Sequence, residues 1–223
     1  MNNKSEIKFF LKSAGSHPNQ GYQWWRVQAN KALTADEPSF IKELLSAKWL
    51  DREAFLLLIL RNNQGIHLYV TALVTQGRED FQGRKIRNDL AFTVSPEDES
   101  ILLDFACALL QEKDRVEKEL NQRIRPEKTA GSKSGFTADY NSIIKWIRGF
   151  SKPSSRVAPE LGSRIAKNSE NNRKKLAALL SQQKLPEQPG FLVAVTRFSD
   201  PASFLEKPNW WLVLTELEKS PDW

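Results

Sequence analysis

Two apolar runs, Ala54–Arg61 and Ile66–Thr75, are separated only by Asn62-Asn63-Gln64-Gly65. A spacer so short and so rich in turn formers makes the runs fold back on each other as a β-hairpin. The rest of the chain has to pack around that pair. In the second run Ile66, Leu68 and Val70 alternate with His67 and Tyr69. That is the pattern of a half-buried strand, whose successive side chains point to opposite faces. His67 is therefore expected to face outward from its strand.

Further strands follow from the same logic. Lys85–Val94 reads as a third partner, Ile7–Leu11 as a first strand and Tyr22–Val27 as an aromatic-rich one after the loop 15–21. Gly190–Thr196 and Trp210–Thr215 read as two buried strands.

Helices are marked by caps and by apolar spacing. Thr34 and Glu37 have the spacing of a capping box, and Pro38 suits a first helical turn. The spacing predicts a helix to about Trp49 that buries Phe40, Ile41, Leu44 and Leu45. Ser95-Pro96-Glu97-Asp98 is a helix start, with acids at the positive end of the dipole. Leu102, Phe105, Leu109, Val116, Leu120 and Ile124 then recur on one face. They predict a single helix of about 26 residues, roughly 39 Å long, ending before Pro126. Tyr140–Ile147 and Asn172–Gln182 are also expected to be helical, on either side of the Pro/Ser/Gly-rich segment 149–163.

The order of elements implies an α+β fold, with a mixed or antiparallel sheet of about five strands and helices packed on one face. A chain of 223 residues suits one domain, 1–223, with the basic, helical and loop-rich region at about 126–185 as a candidate insertion.

Composition narrows the chemistry. The longest apolar stretch, Ala54–Leu60, is far short of the roughly 20 residues that span a bilayer. Nor does the first segment, Met1–Glu6, look like a signal peptide, so a cytoplasmic protein without a membrane partner is expected. The single cysteine, Cys107, allows no disulfide within the chain and reads as a small buried residue on a helix. Two histidines, His17 and His67, are too few for a typical zinc site. Gly131-Ser132-Lys133-Ser134-Gly135 lacks the spacer and ending of a phosphate-binding loop. No catalytic residue, metal ligand or cofactor is assigned.

The stretch from Gly77 to Asn88 is the most distinctive. Two glycines, Gly77 and Gly83, bracket a tight connection between strands, and Arg78, Arg84 and Arg87 lie within ten residues of one another. Guanidinium forks bind carboxylates or phosphates through two parallel hydrogen bonds. Asp80 can instead clamp Arg84 and fix the turn. Asp80, Glu79 and Asp89 also offer the oxygen ligands that a magnesium-dependent nuclease would use.

Arg78-x-Asp80-x-x-Gly83-Arg84, followed by Asn88 and the apolar Leu90-Ala91-Phe92, resembles the signature of GTPase-associated N-terminal domains of bacterial conflict and defence systems. The match covers about 15 residues, and Thr93 stands where that family tends to place a histidine. The resemblance implies a non-catalytic regulatory or adaptor role, which would have a protein partner, and Arg78, Asp80, Arg84, Arg87 and Asn88 are the candidate binding residues of the stretch.

A second reading rests on charge. Residues 111–175 hold 16 Lys/Arg against 8 Asp/Glu, whereas the rest of the chain holds 17 against 19. Within that basic region Trp146, Arg148, Lys152, Arg173, Lys174 and Lys175 interleave aromatic and cationic side chains, which suits nucleic-acid binding. The spacing of Trp146 with Ile143 and Ile147 equally suits a helix core.

Overall fold

The computed structural model describes residues 7–28, 31–46, 54–127, 135–151, 155–160, 162–197 and 211–216. The strands are β1 (Lys8–Ser13), β2 (Gln23–Gln28), β3 (Lys31–Thr34), β4 (Leu57–Asn62), β5 (Gly65–Glu79), β6 (Lys85–Val94), β7 (Ile124–Pro126), β8 (Phe136–Ala138), β9 (Arg164–Lys167), β10 (Gly190–Val195) and β11 (Leu212–Thr215). The helices are α1 (Ser39–Ser46), α2 (Glu99–Gln111), α3 (Lys113–Asn121), α4 (Tyr140–Arg148) and α5 (Glu170–Gln182), with a 3₁₀ turn at Pro96–Asp98.

The fold is α+β, but the sheet is larger than the five strands expected. Among the described residues nine strands run in the order β3-β2-β1-β6-β5-β4-β10-β11-β9, and β7 with β8 forms a separate ribbon. The sheet is mixed: β9, β11 and β10 are parallel neighbours, and the other pairs are antiparallel. The hairpin that anchors the sequence reading is β4–β5, with Leu57 opposite Val70 and Asn62 opposite Gly65. The strands that sequence reading passes over, β3, β7, β8 and β9, have only three or four residues each. Such runs are too short to show a two-residue period.

Alternation along the strands sorts two cores. Phe9, Leu11, Leu57, Ile59, Leu68, Val70, Leu90 and Phe92 face a layer built from α2 to α5, which contributes Leu103, Phe105, Ile143, Ile147, Leu176 and Leu180. Phe105 is at its centre, with the rings of Phe92, Trp146 and Phe150 each within 5.6 Å. Cys107 is buried, and its thiol donates to the Ala177 carbonyl, joining α2 to α5. The candidate insertion thus shares this core through Phe136, Ile143 and Leu176.

The opposite face carries Trp24, Leu58, Leu60, Tyr69, Ala91 and Val213, and Phe40 and Ile41 of α1 pack on it. Helices therefore lie on both faces, with α1 on the second. Thr34 is no helix cap, because it ends β3 and the helix begins at Ser39. Glu37 instead accepts the indole N–H of Trp24. The expected end of this helix at Trp49, and the start of the last strand at Trp210, lie outside the described residues.

The predicted 26-residue helix is broken. Glu112 leaves helical geometry (φ −137°, ψ 44°), and Ile124 belongs to β7. The break redirects α3 onto an irregular stretch of β5, where Glu117 accepts the Val74 N–H at 2.9 Å and Asn121 donates to the Val74 carbonyl at 3.2 Å. The apolar periodicity reads burial correctly, since Val116, Leu120 and Ile124 are all buried. It does not read the continuity of the helix.

β5 is irregular because its register slips against β6 between Val70 and Leu73 and again between Val74 and Glu79. At the first slip Ala72 adopts φ 55°, a left-handed conformation that side-chain-bearing residues rarely take. One extra residue reverses the strand's parity. Leu68 and Val70 face the helices, and so does Leu73, while Val74 turns to the other side.

His67 does not face solvent. It is 1% exposed, lies against the ring of Phe40 and sits between Asn62 Oδ1 (2.7 Å from Nε2) and Thr93 Oγ1 (2.9 Å from Nδ1). A neutral ring that donates from Nε2 and accepts at Nδ1 satisfies both partners. Burial, with a smaller contribution from the charge of Lys8, pushes the imidazole from 6.5 down to about 4. In the unfolded chain the ring gains its proton near its ordinary value, so stability falls as pH drops from about 6.5 toward 4. The expected loss is about 3 kcal/mol at the acid end. Urea unfolding across this range checks it: His67→Gln should flatten the pH slope, and an unchanged slope would contradict the assignment.

Candidate functional site

The stretch singled out by sequence forms the end of the β5–β6 hairpin. Asp80 N–H donates to the Arg84 carbonyl at 2.9 Å, and Gly83 N–H to the Asp80 carbonyl at 3.0 Å. Gly83, like Gly77, has φ 75°, a conformation that suits glycine at such a corner. The Asp80 carboxylate completes the turn. Oδ1 accepts the N–H groups of Gln82 (2.9 Å) and Arg84 (3.0 Å), and Oδ2 accepts Arg84 Nε and Nη2, each at 2.8 Å. Partial withdrawal from water pushes this carboxyl up, but the Arg84 side chain and the Arg84 and Gln82 amides together hold it below its ordinary value. Asp80 is thus the turn's clamp. The Arg84 side chain remains 66% exposed.

This turn walls a cleft of about 600 Å³ lined by Lys12, Tyr22, Val74, Asp80, Arg84, Lys85, Arg87 and Asp89. The sheet sets the floor. Lys12 is directly opposite Trp24 on one side and Asp89 on the other, so one row crosses β2, β1 and β6. Lys12 Nζ lies 5.9 Å from the Trp24 ring and 3.8 Å from Asp89. Tyr22 reaches past the end of β1, where its hydroxyl accepts the Arg87 N–H at 2.9 Å. Asp89 has a structural task as well: Oδ1 accepts the Ala72 N–H at 3.1 Å, and Oδ2 lies 3.4 Å from the Tyr69 hydroxyl.

Asp80, Arg84 and Arg87 therefore meet in one cleft, whereas Arg78 and Asn88 do not join them. Arg78 is 5% exposed and turned inward. Its Nη2 donates to the Ala14 carbonyl at 2.6 Å and lies 3.3 Å from Ser13 Oγ, and its guanidinium lies 5.2 Å from the Phe136 ring. Burial pushes it down to about 10, so it stays charged at neutral pH. Asn88 is wholly buried, opposite Leu73 on the helix-facing side. Among the described residues, neither of its amide atoms, nor Arg78 Nη1, has a hydrogen-bond partner.

The basic-region residues lie on other elements. Trp146 on α4 is 8% exposed, donates its indole N–H to Glu119 at 2.5 Å and carries Arg123 over its ring. Arg148 ends α4 half-buried, and Lys152 lies outside the described residues. On α5, Arg173 donates to Asn168 at 2.7 Å, Lys174 pairs with Glu170, and Lys175 is half-buried. Many other cations of the region are paired: Lys113 with Glu117, Arg115 with Glu112 and Glu119, Arg156 with Asp104, and Arg164 with Glu160.

Of the carboxylates considered for magnesium, Asp80 and Asp89 share the cleft, and each is engaged by donors of the chain. Among the described residues no group of three or more His, Cys, Asp or Glu could hold a metal ion. Among the described residues, too, no helix is long and apolar enough to cross a membrane.

Comparison with family models, curated proteins and solved structures finds no match. The resemblance to GTPase-associated N-terminal domains rests on the 78–92 stretch alone.

Sequence reading missed Lys12 as a site residue, and it gave Tyr22, Lys85 and Asp89 no shared place. The signal was strand parity: Lys12 follows buried Leu11, as Asp89 precedes buried Leu90, so both point away from the helices.

Arg78 ties the hairpin to the end of β1. Arg78→Ala should destabilise the fold by about 3 kcal/mol, because it removes a charge-assisted hydrogen bond and buried packing together. Arg78→Lys should recover little, since an ammonium cannot reproduce a planar fork lying over a ring. Urea denaturation measures both, and wild-type stability for either variant would contradict the role.

Proposed function

We propose that this chain is a non-catalytic regulatory or adaptor domain of a bacterial defence-type system, and that it binds another protein through the face around the cleft. The observation that carries this reading is the Asp80-clamped turn. It fixes the backbone while projecting Phe81, 51% exposed, and the Arg84 side chain outward. Tyr22, just before β2, and Leu33, on the edge strand β3, add exposed apolar surface on this side of the sheet, at 45% and 51%. Aromatic and arginine side chains are the groups enriched at the energetic centres of protein interfaces. The surrounding cations favour a partner with an acidic surface. The defence setting comes from the Arg78–Asn88 resemblance.

Co-expression with the proteins encoded beside it, followed by purification through a tag on this chain, tests the proposal. One of them should co-elute at physiological salt. Lys85→Glu with Arg87→Glu, which leaves the Asp80–Arg84 clamp in place, should weaken that complex by at least about tenfold, with the circular dichroism spectrum unchanged. Failure of every neighbour to co-elute, or a complex indifferent to the charge reversal, would overturn it. Salt-dependent retention of DNA or RNA in place of a protein would instead favour the basic region 111–175 as the working surface.

A further inference from the structure

The cleft has the size and charge of a small-molecule site as well as a docking surface. Its volume of about 600 Å³ lies in the range typical of ligand pockets, roughly 300 to 1,000 Å³. Four of its lining residues are cations, Lys12, Arg84, Lys85 and Arg87, and two are acids, Asp80 and Asp89. Both acids are engaged: Asp80 by the turn amides and Arg84, and Asp89 by the Ala72 amide, with Lys12 Nζ 3.8 Å away. Their oxygens are held by protein donors, and the cleft keeps a surplus of two positive charges.

A carboxylate ligand brings one charge and two oxygens, whereas a phosphate monoester brings about two charges and three acceptor oxygens near neutral pH. The second matches the surplus and the fork-bearing side chains. Tyr22 adds a further element. Its hydroxyl is held by the Arg87 backbone, while 45% of the residue remains exposed. That leaves a positioned aromatic surface beside the cations, suited to packing against a flat ring.

We propose that this cleft binds a small phosphate monoester bearing a planar ring, with Lys12, Lys85 and Arg87 receiving the phosphate and Tyr22 packing on the ring. The proposal rests on the same face serving as a recognition surface. It is measured without any partner protein, so the two can fail separately.

Amide chemical shifts of the isolated chain, titrated with adenosine monophosphate, adenosine, inorganic phosphate and a phosphoserine peptide, provide the test. Adenosine monophosphate should shift the amides of Tyr22, Arg84, Lys85 and Arg87, and adenosine should not. Lys85→Gln should weaken binding about tenfold, the loss of one charge-assisted contact. Tyr22→Leu should weaken adenosine monophosphate more than inorganic phosphate. Three results would overturn the proposal: no shift at these amides with either phosphate probe, adenosine binding as well as its monophosphate, or tighter binding of the phosphopeptide.

Discussion

The hydrogen bond from the Ala72 amide to Asp89 governs the half of the sheet that carries the cleft. A buried N–H left without a partner costs about 1–3 kcal/mol, and Ala72 also carries a left-handed backbone. Without an acceptor at that point, the extra residue in β5 would have little to hold it in place. With it, the strand changes parity, and Val74 appears on the cleft side while its backbone is taken over by Glu117 and Asn121 of α3. The same carboxylate lies beside Lys12 on the cleft floor. One side chain therefore links the irregularity of the strand to the electrostatics of the site.

The hairpin end beyond the bulge is held from both faces of the sheet. On the cleft side, Asp80 organises the turn and Tyr22 bonds the Arg87 backbone. On the helix side, Arg78 passes inward to the Ala14 carbonyl and the Phe136 ring. The chain places a guanidinium 5% exposed to solvent against a carbonyl and a ring. A buried cation held this way is sensitive to geometry, since several kilocalories of desolvation are offset only while its contacts are aligned. The cleft wall and the β7–β8 ribbon are thereby joined through one residue.

Much of this was legible in the sequence, for reasons that differ by element. The β4–β5 hairpin, β6 and the buried pair β10 and β11 follow from alternation and turn residues, which report local geometry. α4 and α5 lie close to the expected Tyr140–Ile147 and Asn172–Gln182, and the structure adds the caps that start them: Asp139 accepts from Ser142 N–H, and Ser169 from Asn172 N–H. The break at Glu112 was not legible, because it answers to an amide exposed by a bulge 38 residues earlier in the chain, at Val74. Nor was the placement of α1 across His67, since alternation marks two faces without saying what covers the second. For the site, Asp80 and Arg84 declared themselves through the spacing of a clamped turn. Lys12 and Tyr22 come from a strand and a loop far earlier in the chain, and only the sheet order brings them to the cleft.

Asp89 is the residue that couples the bulge to the cleft. Amide spectra of Asp89→Ala against wild type test that coupling directly. Resonances at Ala72, Val74, Arg84 and Arg87 should be displaced together, with the Trp146 indole on the far layer unmoved. Changes confined to Ala72 and its immediate neighbours, leaving Arg84 and Arg87 in place, would contradict it.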